Sequence, residues 1–422
     1  VARPDSEAPP VESIFSAGRR SLTLGVTAII TVAAFEAMGV MTSMPVAVRD
    51  LDGLSLYAWA FTSFVVTSLY AMVVAGEWTD RHGPLGPLLA GAGLFALGTL
   101  VAGVAPAMGW FLVGRAVQGL GSGAVIVAVY VVIGRGYPES MRPRMFTALS
   151  GAWVLPGIVG PAVAGTVTDT VGWRWVFLGV LVLMVPIVAV LVPRLLALHL
   201  PGDPGRAPQP GRRRRALLAA VGTGLLQYAG QRLDGWSIPL ALVAVAMLAV
   251  SVPRLLPAGA LRLARGMPTV VMERGFLAGA FFAAESFLPL MLVNERGLAS
   301  AAAGITLSGA AVGWFLGSWY QGRPSTRRPR YALVRLGAAL VAVGIALTPV
   351  VLLGSVPPAV SIATWGIGAF GMGIVFGSLG VLLLELSPVA EQGVNSAALQ
   401  VSDSLGSIVA TGTAGAIFAA GH

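Results

Sequence analysis

Apolar runs long enough to cross a bilayer recur along the chain, separated by short polar stretches. They fall at 22–48, 56–76, 86–105, 109–133, 145–168, 173–193, 216–232, 236–253, 268–293, 300–321, 331–353, 358–386 and 395–420, thirteen in all. The pattern predicts an all-α polytopic membrane protein. One run departs from uniform apolarity: residues 115–124 read Arg-Ala-Val-Gln-Gly-Leu-Gly-Ser-Gly-Ala. Arg115, Gln118, Gly119 and Ser122 stand at i, i+3, i+4 and i+7 and so share one helix face. A fixed charge at a bilayer centre costs about 3 kcal/mol or more, so this face is expected to line a protein interior or a watery path. Its glycines, with Gly123, let a second backbone come close.

The arginines set an orientation. With the N-terminus in the cytoplasm, the inner loops collect Arg3, Arg19, Arg20, Arg81, Arg135, Arg142, Arg144, Arg194, Arg206 and arginines 212–215, then Arg254, Arg262, Arg265, Arg274, Arg323, Arg327, Arg328, Arg330 and Arg335. Only Arg49, Arg115, Arg174, Arg232 and Arg296 fall outside or within the membrane. That is 22 against 5, the asymmetry of the positive-inside rule. It also requires 216–232 and 236–253 to span as a pair or not at all, because a single span would flip every later loop.

Residues 194–215, rich in Pro and Gly and closing on four arginines, divide the chain. The organisation read from this is a polar, disordered cytoplasmic tail (1–20), an N-terminal six-helix bundle (21–193), the basic cytoplasmic linker (194–215), an inserted hairpin (216–256) and a C-terminal bundle (257–422). A faint repeat relates the bundles. Pro138, Ala148, Leu149 and Gly165 recur as Pro388, Ala398, Leu399 and Gly415 at an offset of 250, and the stretch around Gly76 and Trp78 echoes Gly317 and Trp319. Segment five thus pairs with thirteen, and two with ten. By that count the second half lacks a partner for 173–193, as if a last helix were missing.

Composition narrows the chemistry. Charged residues are 11% of the chain, against about 25% in soluble domains. There is no cysteine, which excludes disulfides and thiolate metal sites, and three scattered histidines offer no metal centre. The net charge of +9 reflects loop arginines, not a nucleic-acid surface, since no stacking aromatics are interleaved with them. The basic linker suits anionic lipid. Walker, HExxH and GxSxG motifs are missing from the sequence, so no enzyme, ATP-driven step or cofactor is expected.

Four local patterns resemble the major facilitator superfamily. Gly76-Glu-Trp-Thr-Asp80-Arg81-His-Gly83 is similar to its Gly-x-x-x-Asp-Arg-x-Gly loop, in which Gly76, Asp80, Arg81 and Gly83 would form a gate. Pro84, Leu85 and Gly86 stand where basic residues are usual. The stretch from Arg115 matches the Arg-x-x-x-Gly-x-Gly helix signature. Gly157, Gly160, Pro161 and Gly165 look like the antiporter motif of the fifth helix, followed by the familiar turn Gly172-Trp-Arg-Trp-Val-Phe177. Glu36, nine residues before Pro45, resembles the acid of the fourteen-helix drug:proton antiporters, in which two extra helices separate the halves. The resemblance implies two pseudo-symmetric bundles that rock about a midplane site.

Candidate coupling residues follow. Glu36 lies mid-helix, where low dielectric disfavours an isolated carboxylate and prepares the group to take up and release a proton. Glu285, flanked by Phe281, Phe282 and Phe287, is its counterpart by the repeat and stands as a second proton or cation site. Arg115, too basic to carry protons, either biases a neighbouring acid, with Glu36 foremost, or satisfies backbone carbonyls. Gln118, Ser122, Tyr130, Trp153, Phe282, Trp314 and Asp403 are expected along the substrate cavity, with Asp403 making one side acidic. The expected protein is a monomeric secondary transporter of the bacterial inner membrane, exporting hydrophobic, amphiphilic or cationic compounds such as drugs against protons. Two alternatives are a proton-coupled metabolite importer and a lipid exporter or non-transporting protein on the same fold.

Overall fold

The computed structural model describes residues 13–420 apart from 206, 208, 232–234, 299, 324 and 327. Residues 1–12 of the expected tail, with Arg206, Arg232, Asp234 and Arg327, lie outside them. Among the described residues all regular secondary structure is helical. The first six helices are α1 (Arg20–Asp50), α2 (Trp59–His82), α3 (Leu85–Gly103), α4 (Met108–Gly136), α5 (Arg142–Thr170) and α6 (Arg174–Leu198). Two more, α7 (Arg212–Gln231) and α8 (Ser237–Ser251), form the hairpin. The last five are α9 (Met267–Arg296), α10 (Ser300–Gly322), α11 (Arg330–Leu347), α12 (Val360–Leu386) and α13 (Gln392–Ala420). Ten of these segments are long and apolar enough to cross a membrane. α7 falls below that measure because arginines open it. Large apolar side chains on α6 and α8 (Trp175, Val182, Val185, Ile238, Leu242) face outward, as a lipid-facing belt requires.

The halves repeat one packing scheme. In the first, α1 packs on α5, and α4 lies between α2 and α3; in the second, α9 packs on α13, and α12 lies between α10 and α11. Glycine makes the closest crossings possible. A Cβ on Gly121 would fall 2.3 Å from the Phe95 nitrogen, and one on Gly373 within the Trp314 carbonyl. The halves meet along α2–α13 and α5–α10, the two pairs related by the repeat.

α7 begins at Arg212, so the four arginines expected in the linker stand in its first turn. Positive charge opposes the helix dipole there, but Glu77 of α2 lies 3.9 Å from Arg212 and 3.6 Å from Arg213. At the other end of α7, Gln227 accepts a hydrogen bond from Thr62 at 2.7 Å and Tyr228 packs on Trp59. The hairpin is therefore fastened to α2 at both ends.

The end of the bundle that carries the 199–211 connection is the linker end, and the opposite end is distal. At the linker end Tyr137 shares a 2.9 Å hydrogen bond with Thr23; burial pushes its phenol up to about 12, so it stays neutral. At the distal end Arg174 and Trp173 both bind Asp50, at 2.6 and 3.0 Å, and pin α6 to α1.

Candidate functional site

Four helices of the first half converge on Arg115. Its Nη1 lies 2.5 Å from Glu36 Oε1 of α1 and donates to Gln118 Oε1 at 2.8 Å, while Nε donates to the Ala60 carbonyl of α2 at 3.0 Å. The guanidinium also covers the Phe64 ring. Gln118 Nε2 donates to Glu36 Oε1 at 3.1 Å and to Thr99 of α3 at 2.7 Å. Glu36 and Arg115 are both buried. The polar helix face therefore points into the bundle, and Arg115 combines the two expected roles, satisfying a carbonyl and compensating an acid. Gln118, expected along the cavity, is fully buried inside this network. Ser122 on the same face is partly exposed.

The expected symmetry between Glu36 and Glu285 is not one of environment. Glu285 of α9 is partly buried beside the Trp365 indole and, among the described residues, forms no ion pair. Around it Phe281, Phe282, Trp314, Trp365 and Phe376 form one aromatic cluster, with Phe281 and Trp365 stacked at 4.7 Å. Phe282 and Trp314 keep part of their surface open; Trp153 on α5 is 48% exposed.

Asp403 does not present a bare acid to a cavity. Its Oδ1 lies 2.5 Å from Arg274 Nε. Arg274, grouped with the loop arginines by the sequence pattern, is fully buried in α9, seven positions past its start. A signal for this was present, because the apolar run 268–293 already encloses it. Tyr130 is likewise buried, edge-on to Phe146 at 5.1 Å.

The Gly76–Gly83 stretch, expected as a loop, is the last turns of α2 up to His82 with Gly83 as the residue that ends the helix, and it touches the other half directly. Asp80, fully buried, accepts the backbone N–H groups of Gly393 at 2.7 Å and Val394 at 2.8 Å, which open α13. A buried carboxylate at a helix N-terminus meets both unsatisfied donors and the positive dipole end. Arg135 of α4 holds the same carboxylate at 3.1 Å and donates to the carbonyls of Pro201 and Val389. Asp203 N–H closes on the Asp80 carbonyl at 2.8 Å, so the interbundle connection is drawn over the end of α2. Arg135 was legible only as a topology arginine. Gly83 takes φ 83°, a left-handed turn suited to glycine. A Cβ on Gly76 would lie 2.7 Å from the Gly393 carbonyl oxygen. Arg81 is partly buried on the same turn. On the related seam Gln321 of α10 donates to the Pro143 carbonyl of α5 at 3.1 Å, and Thr147 donates to that of Ser318 at 2.7 Å. These hydrogen bonds between the halves all lie toward the linker end, which is closed.

In α5, Gly160 lets the helix approach α1: a Cβ there would sit 3.1 Å from Met38 Cβ. Gly165 faces Thr42, Gly157 faces Ala311 of α10, and Pro161 is exposed. The motif thus sets the spacing of α5 against the helix that carries Glu36.

A family model described as the Major Facilitator Superfamily matches residues 26–411. This chain belongs to the major facilitator superfamily. A probable multidrug-efflux transporter of Mycobacterium tuberculosis is 26% identical over 396 residues, covering 89% of this chain and 82% of the relative. Multidrug resistance protein 3 of Bacillus subtilis is 29% identical over 161 residues, covering 38% and 31%. Among solved structures, the human organic anion transporter MFSD10 superposes with a TM-score of 0.70 at 14% identity, covering 94% of this chain and 93% of that one. The proton:xylose symporter XylE gives 0.65 at 16%, covering 93% and 87%. At such identities the structures speak for the major facilitator fold alone: two related bundles, here with the α7–α8 hairpin between them.

Proposed function

We propose that this superfamily member is a proton-coupled exporter of hydrophobic or amphiphilic organic compounds, with its linker end in the cytoplasm of a bacterial inner membrane. Similarity to multidrug-efflux transporters supports the cargo class, and the arginine asymmetry supports the orientation. The inserted hairpin and the fifth-helix motif favour the fourteen-helix antiporter group over a metabolite importer. In this reading the structure is the state closed to the cytoplasm.

The observation that carries coupling is the buried Glu36–Arg115 pair. Both charges are out of water and each offsets the other. A proton arriving at the Glu36 carboxyl cancels one of them and leaves Arg115 with only neutral acceptors, the Ala60 carbonyl and Gln118. An uncompensated buried charge costs several kcal/mol. The bundle then favours the arrangement in which Arg115 finds water or another acceptor, and the halves rock. Proton release toward the cytoplasm restores the pair. The membrane potential adds about 2.3 kcal/mol per charge per 100 mV to the return step. Glu285, with its aromatic neighbours, serves the cargo or a second proton.

Everted membrane vesicles holding a proton gradient test this. A fluorescent hydrophobic cation should enter them at the expense of the gradient, and Glu36→Gln should abolish that exchange while the protein still inserts. Cargo movement that ignores the gradient would sink the coupling.

A further inference from the structure

We propose that a cavity at the linker end, between the α7–α8 hairpin and the second half, binds a phosphate-bearing anion, carried by a membrane lipid or free in solution. The site goes beyond the proposed export reaction and depends on neither cargo nor protons.

The cavity holds about 320 Å³, the size of a small-ligand site. The hairpin lines it with Arg212, at the start of α7, and Arg254, in the turn after α8, and Gln209 of the interbundle connection adjoins them. Glu391 and Asn395, at the start of α13, line it from the second half. Arg212 is buried and held in place: Nη1 donates to Gln209 Oε1 at 2.8 Å, and Nη2 reaches the Leu255 carbonyl at 3.4 Å. A guanidinium fixed in this way has little freedom left to lose when it meets an oxyanion, and its planar fork matches phosphate. Arg254 is exposed at the rim.

Charge decides the sign of the ligand. Glu77 lies 3.9 Å from Arg212 and 3.6 Å from Arg213, so one carboxylate serves two guanidinium groups. With Glu391 on the wall, Arg212, Arg213 and Arg254 stand against Glu77 and Glu391, three positive charges against two. Arg214, on the same first turn of α7, and Arg262, between the hairpin and α9, are exposed and add to the excess. A cleft lined by such an excess concentrates anions. The amides of Gln209 and Asn395 supply neutral donors, which phosphate oxygens use and an apolar compound does not. A lipid has a path to this place. α8 ends at Ser251, three residues before Arg254, and its Val245 and Val250 face outward. An acyl chain laid along that face brings its phosphate to the cavity.

Thermal unfolding of the purified protein in a neutral detergent tests the site. Phosphatidylglycerol is titrated in one arm and inorganic phosphate in the other, because a ligand that binds the folded state raises the melting temperature saturably. Saturable protection by phosphatidylglycerol alone identifies a lipid site; saturable protection by inorganic phosphate as well identifies a site for soluble phosphates. Arg254→Gln should raise the half-saturating concentration about tenfold, the loss of one hydrogen bond between charged groups. Ala258→Trp, at an exposed wall position, fills the cavity without changing charge and should weaken binding as much. Arg262→Gln removes an exposed arginine that is not on the wall and should leave the titration unchanged. No saturable protection by either probe, or equal weakening by Arg254→Gln and Arg262→Gln, overturns the site. Because no cargo or gradient is present, a failure here is distinct from a failure of coupled export.

Discussion

Asp80, at the end of α2, accepts the Gly393 N–H of α13 at 2.7 Å across the boundary between the halves. The carboxylate completes the start of a helix in the opposite bundle, so closing the linker end and capping α13 are one event. Asp80→Asn keeps the shape and removes the charge. Hydrogen bonds to charged groups contribute about 1.5–3 kcal/mol, so the open population of the linker end should rise about tenfold or more. Spin-label distances across that end read it directly.

Gly76 stands against the Gly393 carbonyl with no room for a methyl group. Gly76→Val should leave each bundle folded and prevent their closure. Transport should be lost, with the linker end persistently accessible to a membrane-impermeant thiol reagent at an introduced cysteine. Normal turnover in this variant would show that the seam does not close so tightly during the cycle.

Arg115 and Glu36 compensate each other in a buried site. Arg115→Gln alone leaves an unpaired acid and should cost about 3–5 kcal/mol of stability, seen as a lower melting temperature in detergent. Adding Glu36→Gln should recover much of that loss without recovering coupled transport. Equal melting of the single and double variants would contradict the pairing.

Glu285 has no ionic partner among the described residues and sits against aromatic rings. Glu285→Gln should therefore keep or raise the melting temperature, unlike a change that breaks the Glu36 pair. Its effect should appear in transport of cationic compounds more than of neutral ones, measured side by side in vesicles.

The hairpin's hold on α2 is also measurable. Thr62→Val removes the 2.7 Å bond to Gln227 and should cost about 0.5–1.5 kcal/mol. Substituting Arg212, which is buried beside Glu77, should cost more than substituting the largely exposed Arg213. Thermal unfolding of the three variants orders them.

How much of this was legible varies with the kind of interaction. The helices follow from runs of apolar residues, since length and hydropathy are local properties. The duplication survived as spacing, such as Pro138 against Pro388, because turns and close crossings constrain backbone positions. Glu36 and Arg115 stood out because a charge within an apolar run is rare. Arg274 was counted with the loop arginines because it lies near the start of α9, although the apolar run 268–293 already encloses it. For Gln118 and Tyr130, both buried in the structure, helix periodicity gives a face but not the groups that the face meets.

By itself, the sequence determined the class of molecule, the places where its helices run and the residues whose burial has to be compensated. Only the tertiary structure decided the partners: Arg115 with Glu36, Arg274 with Asp403, Asp80 with the start of α13. These join residues 79, 129 and 313 positions apart along the chain. The physical reason is that hydropathy is a property of each residue, whereas a buried charge is stabilised by the groups that packing brings within about 3 Å.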